Sequence, residues 1–171
     1  RIANFVGVKT REIYPYLESL IRLGFIEREV PVVGGNPKRG IYLILDDIFD
    51  FWFNFIYRYR EEIERGTYKI KKETLNPFLG KRFEKFCRNE IIPKVLPDAN
   101  KIGRWWYKNE EIDILAIKEK ENEITFVECK WSTLDKEKAN HILENLRRKA
   151  QLVRWRNEDR IEKFAIIART F

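Results

Sequence analysis

Glu128 and Lys130 stand two residues apart in Ile124-Thr-Phe-Val-Glu-Cys-Lys-Trp, a run that is otherwise mostly apolar and strand-forming. In an extended chain alternate residues share a face, so this carboxylate and ammonium project together while Val127, Cys129 and Trp131 point to the other side. The preceding run, Glu111-Ile-Asp-Ile-Leu-Ala-Ile, places Asp113 on a neighbouring strand, with the charged turn Lys118 to Glu123 between the two. If Asp113 lies beside Glu128, the two carboxylates and the backbone carbonyl of Cys129 suit a hard, oxygen-seeking cation such as Mg²⁺ or Mn²⁺. A cation so held can activate water and offset charge on phosphoryl oxygens. Lys130 would orient or deprotonate that water, or stabilise the transition state. The competing reading is an ordinary same-face or cross-strand ion pair, in a chain that is 36% charged. Against it, this is the only Glu-x-Lys in the chain, and it ends an otherwise apolar strand.

Other elements must position these groups. Asn76-Pro-Phe-Leu-Gly-Lys-Arg-Phe-Glu reads as a helix start with a cap and Pro at its first position. Leu79, Phe83, Phe86 and Ile91 then form its core stripe, and Pro93 closes it. Glu84 sits next to that stripe, either facing the sheet edge or as a surface charge. Strands are expected at Ile102 to Lys108, Glu111 to Lys118, Ile124 to Trp131 and Phe164 to Ala168, with a long helix before the last. The class is α/β (α+β), a mixed sheet flanked by helices.

That order, with Glu84, Asp113, Glu128 and Lys130 in place, resembles the PD-(D/E)XK nuclease superfamily. Gly103-Arg-Trp-Trp, Glu111-Ile-Asp-Ile and Glu128-Cys-Lys-Trp, preceded by a winged-helix segment, look like the C-terminal part of the archaeal ATPase family, whose nuclease-like domain is of unknown function. The resemblance covers nearly the whole chain. It implies Asp113, Glu128 and Lys130 as catalytic residues, with Glu84 as the helix-borne glutamate, and it implies hydrolysis of DNA phosphodiesters. Gln151 resembles the auxiliary glutamine of some branches. The Pro-Asp of the superfamily's name is replaced here by Ile112-Asp113. The alternative is a catalytically silent DNA-binding or regulatory module of the ATPase. With no Met and no phosphate-binding loop of the Gly-x-x-x-x-Gly-Lys type, the chain reads as a fragment. ATP binding is then expected only in the missing N-terminal part.

Three parts are expected: 1–46 a truncated winged helix, 47–73 a linking helix, and 74–171 the nuclease-like domain. Ile13, Leu17, Leu20 and Ile21 repeat at helical spacing, and Gly24 stops that helix. Pro15 implies a late start or a kink. Two strands follow, around the tip Gly34-Gly-Asn-Pro-Lys-Arg-Gly. A DNA role would use Thr10, Arg11 and Tyr14 in the major groove and Lys38 and Arg39 at the wing; the other reading is a protein–protein connector. The run from Ile48 to Arg60 is apolar nearly all round and is expected to be one helix buried on more than one side. It either connects the two parts or forms a surface for the missing ATPase domain or a second copy.

The 171 residues are 44% hydrophobic and carry a net charge of +7, which favours an anionic partner, DNA above all. Basic residues cluster at Lys69-Ile-Lys-Lys and at Arg147 and Arg148. The alternative for the second cluster is a solvated helix face. Cys87 and Cys129 lack metal-ligand spacing and fit buried thiols in a reducing, cytoplasmic setting. His141 is the only histidine, which leaves carboxylates as metal ligands. No apolar run approaches the length of a membrane span.

Overall fold

The computed structural model describes residues 2–34 and 40–170. They form two compact units, Arg1–Glu29 with Gly40–Ile70, and Val30–Arg39 with Lys71–Phe171. Residues 47–70 therefore group with the N-terminal unit, and Val30 to Gly34 with the C-terminal one.

The N-terminal unit begins with helices α1 (Ile2–Val6) and α2 (Thr10–Arg22), followed by an antiparallel hairpin of β1 (Ile26–Glu29) and β2 (Ile41–Ile44). Helix α2 starts at Thr10 and continues past Pro15, so it does not start late. Proline removes one backbone donor there, and at this exposed position water can serve the carbonyl left over. The helix ends where expected: Gly24 takes φ 75°, the Phe25 N–H reaches the Leu20 carbonyl, and the Gly24 N–H reaches that of Ile21.

The aromatic run is not a single α-helix. Helix α3 (Asp47–Phe51) is capped by Asp46 Oδ1, which accepts from the N–H groups of Ile48 and Phe49, each at 2.8 Å. It passes into a wide π turn at Trp52–Ile56, a 3₁₀ turn at Tyr57–Tyr59 and helix α4 (Arg60–Glu64). Asn54 Nδ2 donates to the Asp50 carbonyl at 2.7 Å, and this side-chain intrusion accompanies the widening. Nor is the run buried on several sides. Phe55 is buried, while Ile48, Phe49, Trp52, Phe53 and Tyr57 are exposed.

The C-terminal unit is a mixed sheet flanked by helices, as the sequence pattern implies. Helix α5 (Lys72–Phe86), a π turn (Cys87–Ile91) and α6 (Ile92–Val95) lead into β3 (Lys101–Tyr107), β4 (Glu110–Lys118) and β5 (Glu123–Thr133). Helix α7 (Lys136–Ala150) then crosses over to β6 (Ile161–Thr170). The sheet order is β3-β4-β5-β6, with β5 and β6 parallel and the other pairs antiparallel. A parallel pair needs such a crossover, which α7 supplies. One core joins Trp105, Leu115, Ile117, Ile124 and Phe126 to Leu146 and Ala150 of α7. The other joins Ile114, Ala116, Val127 and Cys129 to Cys87 and Ile92.

Helix α5 departs from expectation in two ways. It starts at Lys72, so Pro77 lies inside it and not at its first position. Its stripe also differs, because Phe86 is 54% exposed and Cys87 and Ile92 are buried instead. The π turn at Cys87–Ile91 adds a residue to the turn and shifts the helical phase. Pro93 does not close the run; it sits in the first turn of α6, where a missing N–H costs little. Gly103 has a packing reason, since a Cβ there would meet the Val32 side chain at 2.9 Å. The Val32 N–H donates to the Arg104 carbonyl at 2.9 Å along the same edge.

Candidate active site

The β4–β5 ladder ends at the pair Ile114 and Val127. One step further, Asp113 and Glu128 face each other where the two strands have stopped exchanging backbone hydrogen bonds. Strand β4 is bulged at this point. Gly103 pairs with Leu115 and Trp105 with Ile112, so Asp113 and Ile114 together oppose the single residue Arg104. Such a bulge bends the strand and re-aims a side chain. Asp113 Oδ2 accepts the Cys129 N–H at 2.8 Å. In an antiparallel pair a residue's N–H and C=O point to the same side, so the Cys129 carbonyl is also directed towards β4, beyond the end of the ladder.

Glu128 is held by two lysines. Lys130 Nζ lies 2.8 Å from its Oε1, and Lys149 Nζ lies 3.4 Å from its Oε2. The Lys149 side chain is 11% exposed, against 36% for Lys130. Sequence reasoning missed Lys149. It sits in the basic cluster of α7, but only the helix phase shows that it turns inward while Arg147 and Arg148 remain exposed. The end of α7 is fixed by Arg160, whose guanidinium donates to the carbonyls of Ala150, Val153 and Trp155 at 3.0, 2.7 and 3.0 Å.

Asp113 and Glu128 are both buried, at 7% and 8% exposure. Burial, then the charges of Glu128 and Glu84, push the Asp113 carboxyl up to about 7, against the opposing effects of the Cys129 N–H and Lys130. The Glu84 carboxyl, on α5, is also raised, first by burial; Arg104 and Lys130 oppose this, and Glu111 and Glu128 add to it. Glu84 is thus part of the same electrostatic cluster, half-buried and not a plain surface charge. For Lys130, burial works to lower the pKa, but the Glu128 hydrogen bond and the charges of Glu128, Asp113 and Glu84 raise it overall. Cys87 and Cys129 are free and buried, and burial raises both thiols. Among the described residues, no three His, Cys, Asp or Glu side chains gather closely enough to hold a metal ion on their own.

Thr10, Arg11 and Tyr14 are exposed on α2, in the N-terminal unit. Lys38 and Arg39 lie outside the described residues. Arg147 stacks over the Phe164 ring at 5.3 Å, and Arg148 pairs with Glu110 at 2.8 Å. Gln151 is exposed just past the end of α7. Among the described residues, no helix is long and apolar enough to cross a membrane.

A mixed sheet carrying a buried carboxylate pair beside lysines defines the class of domain. The chain belongs to the DUF234 family, described as archaea bacterial proteins of unknown function, whose profile matches residues 52–142. It is also similar to an uncharacterized protein of Methanocaldococcus jannaschii, 36% identical over 160 residues. That match takes in 89% of this chain but 36% of the relative, so the chain spans about a third of that protein's length. No solved structure matches the chain.

Proposed function

We propose that the C-terminal unit is a nuclease-like domain that hydrolyses DNA phosphodiesters with Mg²⁺ or Mn²⁺, within a longer ATP-binding ATPase. ATP binding then belongs to residues outside this chain. The observation that carries the reading is the meeting of Asp113, Glu128 and Lys130 where the β4–β5 ladder ends and β4 is bulged. The donor set fits such a cation. Mg²⁺ is usually held by one or two carboxylates, with water and substrate phosphate completing its shell. Asp113 and Glu128, with the Cys129 carbonyl, would be its ligands, and burial beside Glu128 and Glu84 makes Asp113 a carboxyl whose charge a cation stabilises.

When bound, the cation supplies Lewis acidity at a phosphoryl oxygen and a water of lowered pKa. Lys130 keeps its proton, because three carboxylates surround it. It therefore acts as a hydrogen-bond donor to the attacking water or to the phosphoryl oxygens, and not as the base. Glu84 reaches the cluster from α5 and, with its raised pKa, can accept the proton that the water loses. The exposed Thr10, Arg11 and Tyr14 of α2, and separately the basic end of α7, support contact with DNA.

One observation favours the second reading, a silent DNA-binding or regulatory module: both oxygens of Glu128 are engaged by lysines, so a cation there competes with two ammonium groups for the same carboxylate. Cleavage of single-stranded, double-stranded and branched DNA with Mg²⁺ or Mn²⁺ separates the two. Cleavage by the unmutated chain that Asp113→Asn abolishes supports hydrolysis. DNA binding with no cleavage under any of these conditions, in this chain and in the longer protein, supports the silent module.

A further inference from the structure

The sheet has a second bulge, at the far end of β5. Lys130 pairs with Ala168 and Thr133 with Thr170, so Trp131 and Ser132 together oppose the single residue Arg169. The bulge follows directly after Lys130, a Cα step of ~3.8 Å, and bulges of this kind re-aim side chains beside functional sites. Here it presents a tryptophan. Trp131 is 36% exposed. Its ring lies 5.4 Å from that of Phe83 at an interplanar angle of 55°. The Arg169 guanidinium lies over the indole, 5.4 Å from its centroid. Phe83 is the neighbour of Glu84 on α5, so two stretches of chain, 83–84 and 128–131, contribute to both the ring cluster and the carboxylate cluster.

Trp131 belongs to neither buried cluster, and Arg169 is exposed, with no ion pair among the described residues. An indole that is about one-third exposed, backed by a phenyl ring and carrying a guanidinium with no ion pair among the described residues, has the parts that bind a nucleotide out of a helix. The ring takes the base by stacking, whatever its identity, and the guanidinium takes the phosphate. A base within a duplex presents no face to such a platform.

We propose that Trp131 and Arg169 form a stacking platform for an unpaired nucleotide next to the Asp113, Glu128 and Lys130 cluster, so that the substrate is single-stranded nucleic acid or the unpaired part of a branched one. The inference rests on the proposed function only for the word substrate; the binding site stands on its own geometry.

The test is binding of a fluorescein-labelled oligothymidylate, and of a blunt duplex of equal length, to the full 171-residue chain in EDTA, where no cleavage occurs. The unmutated chain binds the strand more tightly than the duplex. Trp131→Ala weakens strand binding on the order of tenfold and leaves duplex binding nearly unchanged, and Trp131→Phe restores most of the loss. Arg169→Gln, which leaves the indole in place, weakens strand binding and flattens its dependence on salt. Circular dichroism and thermal melts establish that each variant is folded; should Trp131→Ala fail to fold, the Phe and Gln variants carry the test. Equal affinity for strand and duplex, no binding of either, or a strand preference unchanged by folded variants overturns the proposal. Cleavage is scored separately. A chain that cuts DNA while its variants keep the strand preference loses the platform and keeps the hydrolytic reading. One that never cuts but responds to Trp131 keeps the platform and loses the hydrolytic reading.

Discussion

Replacing Asp113 by Asn is expected to stabilise the chain at neutral pH while removing its response to divalent cations. The acid titrates near 7 in the folded chain, against an ordinary value of 3.8. The protonated carboxyl's contribution to stability is therefore fully present below about pH 3.8 and is lost as pH rises through 7. About three pKa units at 1.36 kcal/mol each set a ceiling of about 4 kcal/mol on that loss. Asparagine removes the charge but keeps an oxygen to accept the Cys129 N–H now held at 2.8 Å. A chain of this size gains about 2–4 °C per kcal/mol, so Asp113→Asn should melt higher at pH 8 in EDTA, by at most roughly 8–16 °C. The assay is a thermal melt of both chains from pH 5 to 8.5. The gap should widen between pH 5 and 7 and stay level above. Millimolar Mn²⁺ should raise the melting point of the unmutated chain alone. A gap independent of pH, or a variant less stable than the parent at pH 8, refutes the electrostatic reasoning.

Lys130→Ala is expected to leave the fold nearly intact, because its partly exposed pair contributes about 0–1 kcal/mol, while cutting the rate of DNA cleavage by roughly a hundredfold or more. Equal cleavage by this variant would sink the proposed role. Lys149→Met takes one of two partners from a buried carboxylate and should destabilise by about 1–3 kcal/mol, read by urea unfolding. It should also tighten Mn²⁺ binding, measured by calorimetry, because one oxygen of Glu128 is released; unchanged Mn²⁺ affinity means that Lys149 does not compete with the ion. Arg147→Glu with Arg148→Glu should weaken DNA binding on all sequences alike and reduce its salt dependence. Affinity that is the same at low and high salt contradicts that electrostatic mode.

The strands were legible because period-two alternation survives burial: the runs around Asp113 and Glu128 lie on adjacent strands, with the two carboxylates facing each other one step past the last ladder pair. The bulges were not legible, since an extra residue on β4 or β5 exists only relative to its partner strand, and no single run of sequence contains that comparison. Helix phase was the other blind spot. The turn at Cys87–Ile91 adds a residue that no periodic count foresees, and it replaces Phe86 with Cys87 and Ile92 in the core. On α7 the basic run Arg147-Arg-Lys reads as one patch, although its third member turns inward to Glu128. The late start expected at Pro15 and the helix start expected at Pro77 do not occur, because an exposed helix turn near solvent loses only one hydrogen bond at each.

Two facing carboxylates at a buried strand end cannot both be ionised cheaply, and the fold answers the problem differently for each. Glu128 is given two ammonium groups. Asp113 is given a single backbone N–H and a site where burial and its neighbours favour the proton. A carboxylate pair kept only for stability would be improved by making Asp113 neutral, whereas removing Glu128 would leave the buried Lys149 ammonium without its partner. The asymmetry has a use if something cationic arrives: Glu128 is already set among ammonium groups, and Asp113 gains its charge on binding. The Cys129 backbone links them, since its N–H orients Asp113 and its carbonyl faces the same gap. Movement of β5 at Cys129 would therefore reach both carboxylates at once, and Lys130 and Trp131 with them.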